Sequence, residues 1–74
     1  MISACVLIKV VPTKTWSILK EIQAMKSVLK VYPTYGRFDI VAFLEAEDYK
    51  VLKKITGQVN SIEGVRSTET LAEA

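Results

Sequence analysis

The group with the clearest chemical potential in this sequence is the carboxylate of Asp39, which follows Gly36 by three residues and enters an apolar strand. Side chains alternate along a strand, so Asp39 shares a strand face with Val41 and Phe43. Burying a carboxylate beside such residues costs several kcal/mol unless a donor satisfies it. The donor is either the backbone of the hairpin itself or a ligand with a cationic or hydrogen-bonding group.

An α-amino acid carries the groups that such a site would bind. Its ammonium group donates to a carboxylate, and its own carboxylate accepts from backbone N–H groups and from hydroxyls. Asp39 provides the acceptor, the turn at Gly36 provides N–H groups, and Thr68 and Thr70 provide hydroxyls. Each of these residues also has a structural explanation, because glycine suits a turn and threonine suits a pleated strand.

The composition argues against catalysis and against nucleic-acid binding. The chain has no histidine and a single cysteine, Cys5, which lies within an apolar run. The usual general base, thiolate nucleophile and metal cluster are therefore missing, and we expect no enzyme activity, no bound metal and no cofactor. Ten Lys or Arg against eight Asp or Glu give a net charge of +2. That excess is too weak for a nucleic-acid footprint.

The single cysteine and the hydropathy also predict where the protein works. One cysteine cannot form an internal disulfide, which fits a reducing cytoplasm. The chain does not open with a charged segment followed by a long apolar run. No apolar stretch approaches the roughly 18 residues that a membrane span needs. We therefore expect an unprocessed cytoplasmic protein without membrane contact.

Hydrophobic periodicity predicts six elements in the order strand, helix, strand, strand, helix, strand. The first helix should begin at Lys14, behind a Thr13 cap, and its apolar stripe runs as far as Leu29. The second helix should begin behind an Asp48 cap and end near Asn60. The strands are predicted at residues 2–11, 30–34, 38–45 and 65–71, with a tight turn at Tyr35-Gly36-Arg37 and an edge position for the strand that contains Pro33.

Two strand-helix-strand units joined by a hairpin predict an α+β fold of the ferredoxin-like βαββαβ type. Right-handed crossovers place both helices on one face of a four-stranded antiparallel sheet. The wholly apolar alternate positions should face the helices, namely Ala4, Val6, Ile8, Val10, Phe38, Ile40, Ala42 and Leu44. The other face should then carry Cys5, Leu7, Val11, Val41 and Phe43, with Asp39 toward its rim.

A second copy of the chain is the expected cover for this open face. A domain of this size buries only about 60% of the surface that its unfolded chain exposes, so its own core is thin. Half of its residues are nevertheless hydrophobic. We therefore predict a homo-oligomer in which another copy covers this face. If Val65 faces the helices, alternation also brings Thr68 and Thr70 to the open face beside Asp39.

Two segments resemble a known family. Together with the order of elements, they are similar to the effector domain of the leucine-responsive and AsnC-type (Lrp/AsnC) regulators over nearly the whole chain. The segments are Val31-Tyr32-Pro33-Thr34-Tyr35-Gly36-Arg37-Phe38-Asp39-Ile40-Val41 and Ile62-Glu63-Gly64-Val65-Arg66-Ser67-Thr68-Glu69-Thr70. The Gly-x-x-Asp turn and the Gly-Val-x-x-Thr-x-Thr ending are the most specific elements of the resemblance.

The resemblance implies dimers formed through the sheets, ring-like assemblies of dimers, and an amino-acid effector bound between dimers near the glycine hairpin. Carried over position by position, it nominates ligand-binding residues: Gly36, Asp39, Thr68 and Thr70, with Tyr35 as a neighbour. Full-length members have a helix-turn-helix ahead of this domain, whereas Met1 here leads directly into the first strand. We therefore expect residues 1–74 to form one effector (RAM) domain without direct DNA binding. It would act through its assembly state or through a partner, such as a full-length regulator of the same family.

The sequence leaves three other functions open. An isomerase or oxygenase would fit the fold, although its usual catalytic groups are missing. An RNA-binding module shares the topology, but Ile40 replaces a stacking aromatic residue and Asp39 would repel phosphate. A purely structural oligomerisation module requires only the apolar face.

Overall fold

The computed structural model describes residues 1–73 and confirms the ferredoxin-like α+β fold. The strands are β1 (Ile2–Val10), β2 (Val28–Pro33), β3 (Ile40–Ala46) and β4 (Val65–Ala72), and the helices are α1 (Thr15–Gln23) and α2 (Tyr49–Asn60). The strands form an antiparallel sheet in the order β2-β3-β1-β4. Pro33 therefore lies on an edge strand, as predicted, because it has no N–H for a second neighbour.

Both helices pack on the same face of the sheet and form the core with it. Each helix buries three apolar side chains, namely Ile18, Leu19 and Ile22 of α1 and Leu52, Ile55 and Val59 of α2. They contact the buried alternate residues of the central strands, which are Ala4, Val6, Ile8, Val10, Ile40, Ala42, Leu44 and Ala46. Burial of each larger side chain contributes about 1.5–3 kcal/mol. Of the residues predicted on this face, only Phe38 lies outside a strand, and it is half-buried.

The predicted start of the first helix is wrong. Pro12 begins a 3-10 turn, Pro12–Lys14, and α1 follows it from Thr15. Thr13 is inside that turn, and neither the turn nor α1 has a side-chain cap bond at its N-terminus. Instead the Thr15 hydroxyl donates to the Pro12 carbonyl at 3.0 Å. Proline's preset φ suits the first position of a helical turn, so the turn begins at Pro12, two residues before the start that a Thr13 cap would give.

The predicted end of the first helix is also wrong, because α1 ends at Gln23 and Leu29 belongs to β2. Val28 pairs with Leu44 and Lys30 pairs with Phe43, so the register shifts at Leu29. The Leu29 side chain is 61% exposed. Residues 24–27 contain no glycine or proline that would mark the turn. The apolar spacing therefore predicted a helix that runs on through this turn, because no residue type signalled a break.

The start of α2 is where it was predicted. Asp48 has an extended backbone, and its Oδ1 accepts from the Val51 N–H at 2.9 Å. This bond satisfies one of the N–H groups that the first helical turn leaves without a partner. Such a cap contributes about 1 kcal/mol to stability.

The open face of the sheet has an apolar centre and a charged rim. Cys5 and Leu7 of β1 are half-buried there, and Phe43 of β3 is 41% exposed. The Tyr32 ring meets the Phe43 ring edge-on, with 6.3 Å between centroids. Partial burial raises the pKa of the Cys5 thiol above its ordinary value, because desolvation disfavours the thiolate. By cross-strand pairing the rim carries two cations and two anions, Lys9, Lys30, Glu45 and Glu69.

The three glycines should respond differently to alanine. Gly36 and Gly64 have φ of +117° and +101°, whereas Gly57 lies in α2 with no other atom near an added Cβ. Gly36→Ala should cost about 1–2 kcal/mol from backbone strain. Gly64→Ala should cost about 1–3 kcal/mol more than Gly36→Ala, because steric overlap adds to the backbone strain. Its added Cβ would lie 2.8 Å from Lys14 Cδ and 3.0 Å from Ile18 Cδ1.

Gly57→Ala should instead stabilise the protein by about 0.5–1 kcal/mol, because alanine loses less entropy in a helix. Urea unfolding at one protein concentration measures all three variants. Equal losses at Gly36 and Gly64 would contradict the contact argument.

Candidate functional site

Asp39 lies at the end of a six-residue loop and not within a strand. Pro33 and Ile40 form the last residue pair between β2 and β3, so residues 34–39 connect the two strands. The predicted tight turn at residues 35–37 is therefore wrong. Beyond this pair the Thr34 N–H still donates to the Asp39 carbonyl, so the chain reverses over residues 35–38. The predicted positive φ at Gly36 is confirmed.

The Asp39 side chain completes the backbone hydrogen bonding of β1. Ile8 and Ile40 are the last pair between β1 and β3. The next donor that β1 directs toward β3 is the Val10 N–H, and Asp39 Oδ2 accepts it at 2.9 Å. The Asp39 N–H donates to the Ile8 carbonyl at 2.9 Å. The partly buried carboxylate thus takes the place of a strand residue, and it bonds to β1 instead of to its own hairpin.

Thr34 closes the loop at its base. The Thr34 N–H donates to the Asp39 carbonyl at 2.8 Å, and the Thr34 hydroxyl donates to the Phe38 carbonyl at 2.9 Å. Between these anchors, the backbone N–H groups of residues 35–38 donate to no acceptor within residues 1–73. The tip of the loop therefore offers several exposed donors close together.

A cavity of about 340 Å³ lies between this loop and the start of α1. Its lining residues come from both segments, namely Pro12, Thr15, Trp16, Pro33, Thr34, Tyr35 and Asp39. They meet because antiparallel pairing brings the end of β1, the end of β2 and the start of β3 together at one end of the sheet. The volume is at the small end of the range for ligand pockets.

Three side chains of this cavity, those of Thr15, Thr34 and Asp39, act as hydrogen-bond acceptors. The hydroxyls of Thr15 and Thr34 already donate to backbone carbonyls, so their lone pairs remain to accept. Asp39 is the only charged residue in the lining. Its carboxylate accepts one bond, from Val10, out of a capacity of about four. Such a set of atoms suits a cationic donor, for example a primary ammonium group.

Thr68 and Thr70 do not lie on the open face, and that prediction is wrong. Val65 pairs with Val10 and faces the helices as expected, but Lys9 pairs with Ser67, which leaves Arg66 unpaired. This shift, as in a β-bulge, reverses which side chains face the helices. Thr68 then lies opposite Ile8 and Thr70 opposite Val6, and the Thr68 hydroxyl donates to Asn60 Oδ1 of α2 at 3.0 Å.

The structure therefore brings together only some of the predicted site residues. Asp39 and Tyr35 line the cavity, and Gly36 follows Tyr35 in the same loop. Thr68 and Thr70 are on β4, on the far side of β1 from Asp39. Sequence reasoning missed Thr15, Thr34 and above all Trp16 as lining residues. The available signal was that Trp16 lies off the apolar stripe of α1 and shortly after the end of β1.

A larger cavity, of about 420 Å³, lies at the opposite end of the sheet and is a weaker candidate. Its charged lining residues are Lys26, Glu45 and Glu47. Within residues 1–73 none of these three side chains makes a hydrogen bond or an ion pair. Their positions are therefore not set by any partner, whereas Asp39 is held by β1.

The described part of the chain contains neither a cluster of metal ligands nor a membrane-spanning helix. No group of three His, Cys, Asp or Glu side chains among residues 1–73 comes close enough to hold a metal ion. In the same residues no helix has the length and apolarity that crossing a membrane requires.

Comparison with known protein families gives one match, which covers nearly the whole chain. The sequence model described as the Lrp/AsnC ligand binding domain matches residues 3–72. A comparison with curated protein sequences gave no significant match.

Among solved structures of similar shape, some match this chain over nearly their whole length and others over only half of it. TTHA0845 from Thermus thermophilus is 33% identical, with a TM-score of 0.96, and the match covers 100% of this chain and 94% of that protein. FFRP-DM1 is 24% identical, with a TM-score of 0.94 and 100% coverage of both chains. AsnC of E. coli is 20% identical, with a TM-score of 0.89, and the match covers 97% of this chain but only 50% of AsnC. The last two likenesses show the fold alone, and this chain spans half the length of AsnC.

The hydrogen bond from the Val10 N–H to Asp39 should contribute to the free energy of unfolding. Asp39→Ala leaves a partly buried N–H without its acceptor and should destabilise the fold by about 1–3 kcal/mol. Asp39→Asn retains a side-chain oxygen for Val10 and should cost less than about 1 kcal/mol. Urea unfolding measures both variants. Glu63→Ala is the control, because its carboxylate is exposed and should contribute less than about 0.5 kcal/mol. Equal losses in the two Asp39 variants would show that the carboxylate oxygen is not what satisfies Val10.

Proposed function

The chain belongs to the Lrp/AsnC ligand-binding domain family, and on that basis we propose that it is a regulatory domain that binds an amino acid and forms homo-oligomers. It has no catalytic role in this proposal. Binding changes the assembly state or the contact with a partner protein, such as a full-length regulator of the same family. Residues 1–74 act as one effector (RAM) domain and do not bind DNA directly.

The observation that carries the proposal is the Asp39 carboxylate at the cavity between the loop and α1. β1 holds this group in place through Val10, yet most of its accepting capacity remains. The Thr15 and Thr34 hydroxyls add two further acceptors in the same lining. The ammonium group of an amino acid provides three donors, so it suits this set of acceptors.

The carboxylate of the amino acid binds to donors outside this group of acceptors. The N–H groups of residues 35–38 are the nearest candidates along the chain, and Gly36 lets the backbone approach a ligand closely. Thr68 and Thr70 are nominated by the family resemblance, but their own chain holds them on the far side of β1. A second copy could supply the Thr70 hydroxyl as a donor, whereas the single hydroxyl hydrogen of Thr68 already goes to Asn60, so Thr68 would need to release that bond. In this proposal the ligand lies between subunits.

The open face of the sheet supports the homodimer. Its centre is apolar, and its rim carries charges of both signs that a second copy can pair. The same balance disfavours the RNA-binding alternative, because single-stranded nucleic acid requires a positively charged groove. Ile40, which stands where that family has a stacking aromatic residue, is fully buried against the helices.

A structural oligomerisation module is the second candidate, and the apolar face favours it independently of the cavity. It predicts a stable dimer that no amino acid stabilises. The two candidates therefore differ in ligand response and agree in assembly.

Ligand binding is tested with Asp39→Asn, which removes the charge and retains an acceptor for Val10. We expect at least one of the twenty amino acids to raise the melting temperature of the wild-type protein at millimolar concentration. Asp39→Asn should bind that amino acid at least tenfold more weakly by calorimetry. The mass of its oligomer in solution, measured by light scattering, should equal that of the wild-type protein. Glu63→Gln, which neutralises an exposed carboxylate elsewhere, is the control and should bind normally. Unchanged affinity in Asp39→Asn would refute the assignment of this residue.

Assembly is tested with Phe43→Glu, which places a carboxylate in the apolar centre of the open face. Burying it without a partner costs several kcal/mol, so the dimer should weaken at least a hundredfold. Light scattering across protein concentrations measures the change. Leu29→Glu is the control, since Leu29 is an exposed apolar residue that does not pair into the centre of that face. A dimer that survives Phe43→Glu but not Leu29→Glu would place the interface elsewhere.

A further inference from the structure

One wall of the cavity beside Asp39 is formed by prolines and aromatic residues. Apart from the three acceptor side chains, its lining consists of two prolines and two aromatic residues: Pro12, Pro33, Trp16 and Tyr35. Trp16 is 66% exposed and Tyr35 is fully exposed. Within residues 1–73 neither aromatic side chain makes a hydrogen bond. Both rings therefore present apolar surface that the fold itself does not bury.

Exposure of this kind is unusual for tryptophan, which is highly buried on average because of its large apolar area. The position of Trp16 explains it. It belongs to the first turn of α1, and the buried stripe of that helix, which is Ile18, Leu19 and Ile22, lies on another side. The side chain is thus directed to the region where the loop after β2 ends, and it has no core to enter.

The charge of the lining excludes one class of ligand. Asp39 is its only charged residue, and the lining contains no cation to pair with a carboxylate on a ligand side chain. An acidic side chain would therefore lose its hydration and meet a like charge. A small polar side chain would leave the aromatic wall uncovered.

We propose that this site selects neutral amino acids with a large apolar or aromatic side chain, and that Trp16 is the residue that determines this specificity. The inference rests on the proposed function and specifies its ligand class. The ammonium group binds at Asp39, and the side chain packs on Trp16 and Tyr35 between the two prolines. A cavity of about 340 Å³ accommodates a single ligand of this size.

Burial of each methylene on this wall should raise affinity about fourfold. Phenylalanine should therefore bind at least tenfold more tightly than alanine, and leucine should lie between them. Aspartate should bind more weakly than alanine, because the cavity offers its second carboxylate no cation and places it near the like charge of Asp39.

Calorimetry of the full chain with phenylalanine, leucine, alanine and aspartate tests the proposal. In Trp16→Ala we expect phenylalanine to bind about tenfold more weakly, with alanine changed by less than twofold. Leu29→Ala is the control, because Leu29 is 61% exposed and lies outside this cavity. It should leave all four affinities unchanged. Circular dichroism checks that each variant is folded.

Equal affinity of the wild-type protein for phenylalanine and alanine would overturn the specificity, and so would an equal loss for both ligands in Trp16→Ala. If those ligands bind equally and Asp39→Asn abolishes the binding of both, the proposed function stands and only the specificity fails. If the wild-type protein binds none of the four, this inference is wrong. A screen of the remaining amino acids then decides whether the proposed function fails with it.

Discussion

The hydrogen bond between the Val10 N–H and the Asp39 carboxylate is the contact on which the arrangement of this site depends. β3 begins two residues too late to give Val10 a backbone partner, and a partly buried N–H without an acceptor is costly. Asp39 satisfies it from the loop, and this bond ties the second half of the fold to the end of the first strand. The loop, the start of α1 and the two prolines then surround a cavity whose position follows from that bond.

One carboxylate thus has a structural role and a remaining chemical capacity. Structure and function are often treated as competing explanations for a polar residue beside a core, but a carboxylate accepts more bonds than one backbone N–H provides. Because β1 holds the group, a ligand would lose little free energy in ordering it. Thr15 and Thr34 have the same dual role, because their hydroxyls donate to backbone carbonyls and can still accept hydrogen bonds in the cavity.

The second constraint is the uneven cover of the sheet. Two helices bury one face, and the other face has an apolar centre that no element described in residues 1–73 covers. A domain with this distribution is expected to self-associate. The rim charges are balanced, so they favour a defined register between copies more than attraction to a strongly charged partner.

Much of the fold could be predicted from local patterns. Strict alternation in β1 and β3 identified the helix-facing residues, and the Asp48 cap marked the start of α2, because both signals act within a few residues along the chain. The end of α1 could not be predicted in this way. The turn at residues 24–27 contains neither glycine nor proline, and the strand that follows it continues the apolar spacing.

The sequence by itself determined the order of elements, the two faces of the central strands and the unusual character of Asp39, since these follow from spacing and from the cost of burying charge. Only the tertiary structure decided which side Thr68 and Thr70 occupy and that Trp16 lies beside Asp39. A register shift at Arg66 reverses every later side chain of β4, and it is set by pairing with β1, at the other end of the chain. No local pattern records such a partner, so a site assembled across strands becomes visible only when the chain is folded.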